Sequence, residues 1–146
     1  MTIRVRPVVS TDEGPWLKLF RDYAIFYEAS VPEDVIALTW QRLLARDDNM
    51  LALIATDDTG RALGIAALVF HRSTWSPTWY CYLEDLIVAP EARGLGVGRA
   101  LIVATYEEAD RRGATRTYWT TQEKNVTARA LYDRLAQLTD FVQYRR

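Results

Sequence analysis

The chain is poor in the residues that most often carry specialised chemistry. It holds one cysteine, one histidine and two methionines in 146 residues. A single cysteine, Cys81, cannot close an internal disulfide, which fits a reducing compartment. It lies in an apolar stretch and reads as a packed thiol rather than a nucleophile. No Cys/His cluster has metal-ligand spacing, so no metal is expected. The one histidine, His71, reads as strand-end packing. No apolar run is long enough to span a bilayer. The opening MTIRVRP lacks the apolar core of a secretory signal, so a cytoplasmic location is expected. A surplus of one charge is missing too. The formal net charge is −1, with no block of like charge, which argues against a nucleic-acid binder.

What is present suits one globular domain covering residues 1–146. Nearly half the residues are apolar (49%) and a quarter are charged (25%), enough to build a core without disulfides. Alternation predicts a strand over 3–7. Cap-type side chains at 10–13 open a helix over 15–28, with Trp16, Leu19, Phe20, Tyr23 and Phe26 or Tyr27 on one face. Ser30 and Glu33 form a capping-box pattern with Pro32 in the first turn, starting a helix that ends near Arg46. Strands at 50–56 and 62–70 flank the turn Asp57–Gly60 as a hairpin, and Gly64 suggests a bulge or bend. After a loop at 71–78 come a long strand to Val88, a helix over 98–112 closed by Gly113, and a strand over 115–120. A helix capped by Asn125 runs to about 137, and a last strand is expected over 141–144. The fold class is α/β: a mixed sheet with helices on both faces.

The chain is organised around YCYLEDLIVAPEARGLGVGRA, residues 80–100. An apolar strand leads through Pro90 into a turn holding Gly94, Gly96 and Gly98, and then into a helix. Glycines let backbone N–H groups approach a ligand, and a helix N-terminus favours negative charge. The site therefore suits a phosphorylated ligand. It is not a P-loop, since no Gly-Lys-Ser/Thr follows. It is not a dinucleotide fingerprint either, since the glycine spacing differs.

Arg93-Gly94-Leu95-Gly96-Val97-Gly98 resembles the Arg/Gln-x-x-Gly-x-Gly/Ala signature of the Gcn5-related N-acetyltransferases, the GNAT family. The resemblance extends to the preceding Tyr82-Leu83-Glu84-Asp85, to Pro90, and to Asn125, Ala128 and Tyr132 in the family's Asn-x-x-Ala-x-x-x-Tyr pattern. It covers the second half of the chain closely and the first half through element order. The wording is similar to the polyamine (spermidine/spermine) branch and to the fungal Hpa-type branch, which acetylates histones and small amines.

The resemblance implies a sheet with splayed strands and acetyl-CoA as the donor. Backbone groups of Arg93, Gly94, Leu95, Gly96, Val97, Gly98 and Arg99 would hold the pyrophosphate. Leu86, Ile87 and Val88 would line the pantetheine arm, and Asn125, Ala128 and Tyr132 would face the cofactor. It implies transfer to a primary amine by direct attack. Tyr132, two turns after Asn125, is the expected acid at sulfur. Neighbours on a regular strand face opposite ways, so Glu84 or Asp85, not both, would face the centre. By resemblance Glu84 is the likelier base through water, and Asp85 binds the substrate's cation or holds structure. Ordered water alone remains an open alternative.

The acceptor is expected near the first two helices and the 71–78 loop. Tyr27 and Glu28 are candidate contacts there, with Tyr23, Glu33, Trp75 and Trp79 nearby. Trp119 reads as core. A small cationic amine is favoured over a protein lysine or N-terminus, and a non-catalytic acyl-CoA sensor is the reading from another class. One departure stands out. Asp140-Phe141 occupies the place of the family's Gly-Phe turn, and one terminal strand remains where two are usual. An uncovered sheet edge makes a homodimer plausible.

Overall fold

The computed structural model describes residues 1–46 and 49–146. Its elements in order are β1 (Arg4–Pro7), α1 (Glu13–Phe26), α2 (Glu33–Ala45), β2 (Met50–Thr56), β3 (Ala62–His71), β4 (Tyr80–Val88), α3 (Val97–Arg111), β5 (Arg116–Tyr118) and α4 (Val126–Leu135). Short 3-10 turns at Ser10–Asp12 and Pro90–Ala92 precede α1 and α3. The strands form one mixed sheet in the order β1-β2-β3-β4-β5. The first three pairings are antiparallel, and β5 joins β4 in parallel after the α3 crossover.

The strands β2 and β3 are buried along nearly their whole length, which requires cover on both faces. On one face lies α3. A Cβ added to Gly64 would come 2.9 Å from Val97 and 3.2 Å from Leu101, and 2.7 Å from the Ile87 carbonyl. Gly64 is therefore glycine because helix and strand backbones approach there. The other face is covered by α1 and α2, joined by Trp16 and Trp40 with ring centroids 5.3 Å apart. At the start of α1, the Asp12 carboxylate accepts from Arg6 Nη1 at 2.7 Å and from the Val9 amide at 2.8 Å. These bonds, with Arg6 the largest influence, hold Asp12 below the usual carboxylate range.

Several boundaries differ from expectation. Pro32 stands at the cap position of α2, which begins at Glu33, and no side-chain cap bond forms. Helix α1 ends at Phe26, so Tyr27 and Glu28 lie just beyond it. Between Thr115 and Thr120 only Arg116–Tyr118 pair as a strand. The expected terminal strand over 141–144 does not form. Residues 136–146 leave α4 in extended or irregular backbone, and Phe141 and Tyr144 are 87% and 92% exposed. Phe141, Val142 and Tyr144 are strand formers, but among the described residues no neighbouring strand receives them.

Candidate acetyl-transfer site

The site begins where two strands part. Strand β5 pairs with β4 only at Tyr80–Arg116, Cys81–Thr117 and Tyr82–Tyr118. Strand β4 runs on to Val88 with β3 as its only partner among the described residues. The Ala89 amide donates to Leu63 on β3 at 2.8 Å. Backbone groups alternate sides along a strand, so Leu86 and Val88 turn their N–H and C=O groups into the gap. These are the groups expected to pair with an amide-bearing arm. Ile87 is a correction: its backbone faces β3 and its side chain is buried.

At the top of the gap, the turn reaches α3 through Gly94 (φ 75) and Gly96 (φ 88). A Cβ at either would meet nothing within 4 Å, so both N–H-bearing corners face open space. Positive φ is why both are glycine. The first N–H groups of α3 have no acceptor within the helix, and Ala100 makes the bond back to Gly96 at 3.0 Å. This cradle of free donors at a helix N-terminus fits a pyrophosphate. Val97 offers only its backbone, since its side chain is in the core. Gly98 has a second duty: Leu131 of α4 lies 3.3 Å from where its Cβ would be.

A bulge re-aims the acids. Leu83 pairs with Leu68 while Asp85 pairs with Ala67, so Glu84 is an extra residue in β4. Tyr82, opposite Val69, and Asp85, opposite Ala67, therefore share a face. Glu84, one step after Leu83, falls on that face too. The expectation that only one acid could face the centre is corrected: the bulge cancels one alternation. Glu84 is exposed and Asp85 is half-buried. Burial first, then the charge of Glu84, pushes Asp85 up to about 6.

Tyr27, Asp85 and Tyr132 gather around Tyr23. Burial first, then the acidic groups Tyr27, Asp85 and Tyr132, pushes Tyr23 up to about 12. Tyr23 and Tyr27 rings lie 4.7 Å apart. Burial and Tyr27 raise the Tyr132 phenol, so it keeps its proton at neutral pH. Tyr132 is braced edge-on by Trp119 at 5.4 Å, which in turn lies 6.3 Å from Tyr106. Asn125 caps α4, its Oδ1 accepting from the Ala128 amide at 3.5 Å. Glu28 is exposed with φ 53 just past α1, and Glu33 pairs with Arg21 on the surface. Trp75 is 88% exposed, and Trp79 stacks under Arg72 at 3.7 Å. Of the residues expected around the acceptor, Tyr23 and Tyr27 are the ones that lie near Tyr132.

The remaining candidates are structural in their contacts. His71 closes β3, its Nε2 bonded to the Tyr118 hydroxyl at 2.6 Å and its Nδ1 to the Arg72 carbonyl at 2.8 Å. Burial pushes the Cys81 thiol up to about 11, as suits a packed thiol. The sequence missed the Tyr82–Tyr118 ring pair, 4.8 Å apart beside the opening. Both lie at alternating positions of paired strands, a signal that only the parallel register completes. Among the described residues, no group of three or more His, Cys, Asp or Glu could hold a metal, and no helix is long and apolar enough to cross a membrane.

A splayed strand pair, a glycine cradle at a helix N-terminus and a half-buried phenol beside the gap are the features that an acyl-CoA-dependent transferase requires. The chain matches the model of the acetyltransferase (GNAT) family over residues 16–136 and belongs to that family. It is 35% identical over 145 residues to a D-amino-acid N-acetyltransferase, HPA3, of Saccharomyces cerevisiae, covering 99% of this chain and 90% of that protein. It is 33% identical to the aminoglycoside N(6')-acetyltransferase type 1 of Klebsiella aerogenes over 83% of this chain and 80% of that one. Its fold is similar to that of AAC(6')-Iy in complex with a CoA-linked bisubstrate analogue (TM-score 0.85, 21% identity), covering 100% of this chain and 98% of that one. The protein is thus a GNAT N-acetyltransferase with acetyl-CoA as donor.

Proposed function

We propose that the protein acetylates a primary amine on a small, multiply cationic compound by direct attack within a ternary complex. The observation that carries this is the bulge that sets Glu84 and Asp85 on one face beside Tyr23, Tyr27 and Tyr132. An amine of ordinary pKa near ~10.4 arrives as an ammonium ion. Two carboxylates and flanking phenol rings attract it. Asp85, near about 6, accepts the proton directly or through water, and the neutral nitrogen attacks the thioester carbon. The N–C bond forms, the oxyanion takes a hydrogen bond from a gap-facing β4 amide, the nitrogen gives up its second proton to water, and the C–S bond breaks as the carbonyl re-forms. Tyr132 donates its proton to the leaving sulfur and is restored by solvent. Placing the base at Asp85, with Glu84 as its partner, replaces the reading that favours Glu84 alone.

We place the protein in a reducing, cytoplasmic compartment, in keeping with the free thiol of Cys81. The test is a turnover assay that follows free thiol against an amine panel. Diamines and polyamines, an aminoglycoside, D-amino acids and a lysine-bearing peptide make up the panel. The expected order puts multiply cationic small amines first, and amines beside a free carboxylate below them, because Glu84 and Asp85 repel it. A D-amino acid without a second amine that outruns every diamine overturns the cationic-amine reading. Tight acetyl-CoA binding with no turnover on any acceptor overturns the enzyme reading in favour of a sensor.

A further inference from the structure

The sheet face that carries Glu84 and Asp85 continues outward over two tyrosines that the reaction assigned above does not use. Tyr82 of β4 and Tyr118 of β5 are register partners, and their rings lie 4.8 Å apart. Both are half-buried, so each keeps surface open to a ligand. On β3 the partners of Tyr82 and Asp85 are Val69 and Ala67, two positions apart. The ring pair therefore stands about 7 Å along the sheet from Asp85.

His71 fixes what the Tyr118 hydroxyl can do. Its Nδ1 lies 2.8 Å from the Arg72 carbonyl oxygen, which only accepts, so Nδ1 carries the hydrogen. In the neutral imidazole Nε2 is then the acceptor, and the Tyr118 hydroxyl donates to it at 2.6 Å. The hydroxyl's one hydrogen is committed, and its oxygen is left to accept from a donor elsewhere. Burial first, then Tyr82 and, more weakly, Glu84 raise the Tyr118 phenol against the pull of Arg116. The phenol is therefore neutral at neutral pH. An accepting oxygen, two ring faces and the charge of Glu84 together suit an ammonium group. At the outer end Arg116 lies over the Tyr80 ring at 4.5 Å and closes the strip with positive charge.

The geometry points to Tyr82 and Tyr118 as the subsite for a second ammonium group of the acceptor, with His71 positioning the Tyr118 oxygen. This subsite rests on the cationic-amine reading proposed above and adds a length to it. With the reacting nitrogen at Asp85 and the second over the ring pair, the two stand about 7 Å apart. Roughly four or five methylene groups, with bonds of ~1.5 Å, span that distance. Arg116 repels a third cation beyond the rings, so a triamine gains nothing over the diamine of matching length.

The test compares each linear α,ω-diamine with the monoamine of the same chain length, reading kcat/KM for both on one preparation. Their ratio cancels any loss of folded protein. In the parent the ratio is expected to peak near about four or five methylene groups. Tyr118→Phe keeps the ring and removes the oxygen. It should lower the peak ratio about tenfold, through KM for the diamine, with the monoamine within about twofold. Tyr82→Leu, which removes a ring face, should lower it about threefold. His71→Leu should act like Tyr118→Phe, and His71→Gln, whose amide oxygen accepts from the same hydroxyl, should restore most of the ratio. Equal loss on both amines in His71→Leu overturns the positioning role. Diamines that turn over with a ratio flat in chain length, or unchanged in Tyr118→Phe, overturn the subsite and leave the amine reading standing. Absence of turnover with every diamine overturns both.

Discussion

Glu84 and Asp85 are neighbours in sequence yet lie on the same face of β4, because the strand bulges opposite Ala67 and Leu68. Burial first, and the negative charge of Glu84 second, favour the protonated form of Asp85. Asp85, the more buried of the two, stands at about 6. As the proton acceptor it must be ionised, so kcat/KM is expected to rise through about pH 6 and level off above it. Asp85→Asn should flatten that limb and lower the rate by about 10²-fold. The stability sign is fixed by the raised value. Between about pH 4 and about pH 6 the folded chain holds a proton that the unfolded chain has lost, so stability falls as pH rises across that window. The asparagine variant lacks this loss and should gain about 1–3 kcal/mol on the parent between pH 4 and pH 8. Urea midpoints that run parallel for the two proteins across that range would sink the assignment.

Glu84 acts on Asp85 through its charge. Glu84→Gln keeps the bulge, since the side chain is exposed and the extra residue remains. Removing the negative field should move the pH–rate inflection below about 6. KM for a dicationic amine should rise by about fivefold, as fits a partly solvated charge contact. An inflection that stays in place means that burial alone sets Asp85.

Tyr132 holds its proton at neutral pH because burial and Tyr27 raise its phenol. Tyr132→Phe keeps the ring against Trp119 and removes only the donor. The expected result is a kcat lower by about 10²-fold with acetyl-CoA affinity, by calorimetry, within twofold. A variant as fast as the parent across pH excludes the acid role. Equal loss of affinity and rate would make the tyrosine a packing residue.

The glycine turn and the cap of α4 were legible in the sequence because their signals are local. Gly94, Gly96 and the cap at Asn125 each report a backbone demand within a few residues. The acceptor half was not, because it depends on register. Glu84 and Asp85 read as opposite-facing until the pairing with β3 reveals the extra residue. Tyr23 and Tyr132, more than a hundred positions apart, converge only through the gap between β4 and β5. The residues at 141–144 read as a strand because Phe, Val and Tyr favour one. Propensity says nothing about whether a neighbouring strand is there to pair with. Cys81 was read correctly as packed because it sits on a strand whose core face the apolar pattern marks.

Two glycines separate the demands of fold and ligand. At Gly64 a methyl group would strike the Ile87 carbonyl at 2.7 Å and Val97 at 2.9 Å. Backbone cannot retreat there without opening the seam between β4 and α3. Gly64→Ala is therefore expected to cost about 1–3 kcal/mol of stability. Its effect on acetyl-CoA affinity should be small in the fraction that folds. At Gly96 a methyl group meets open space, and the strain comes from φ 88 alone. Gly96→Ala should cost about 1–2 kcal/mol. If the turn holds the donor's pyrophosphate, the methyl also projects into the ligand's place, so KM for acetyl-CoA should rise at least tenfold. Denaturation midpoints and donor titrations on both variants check this together. Comparable affinity losses at the two sites would mean that Gly96 serves the fold and not the cofactor.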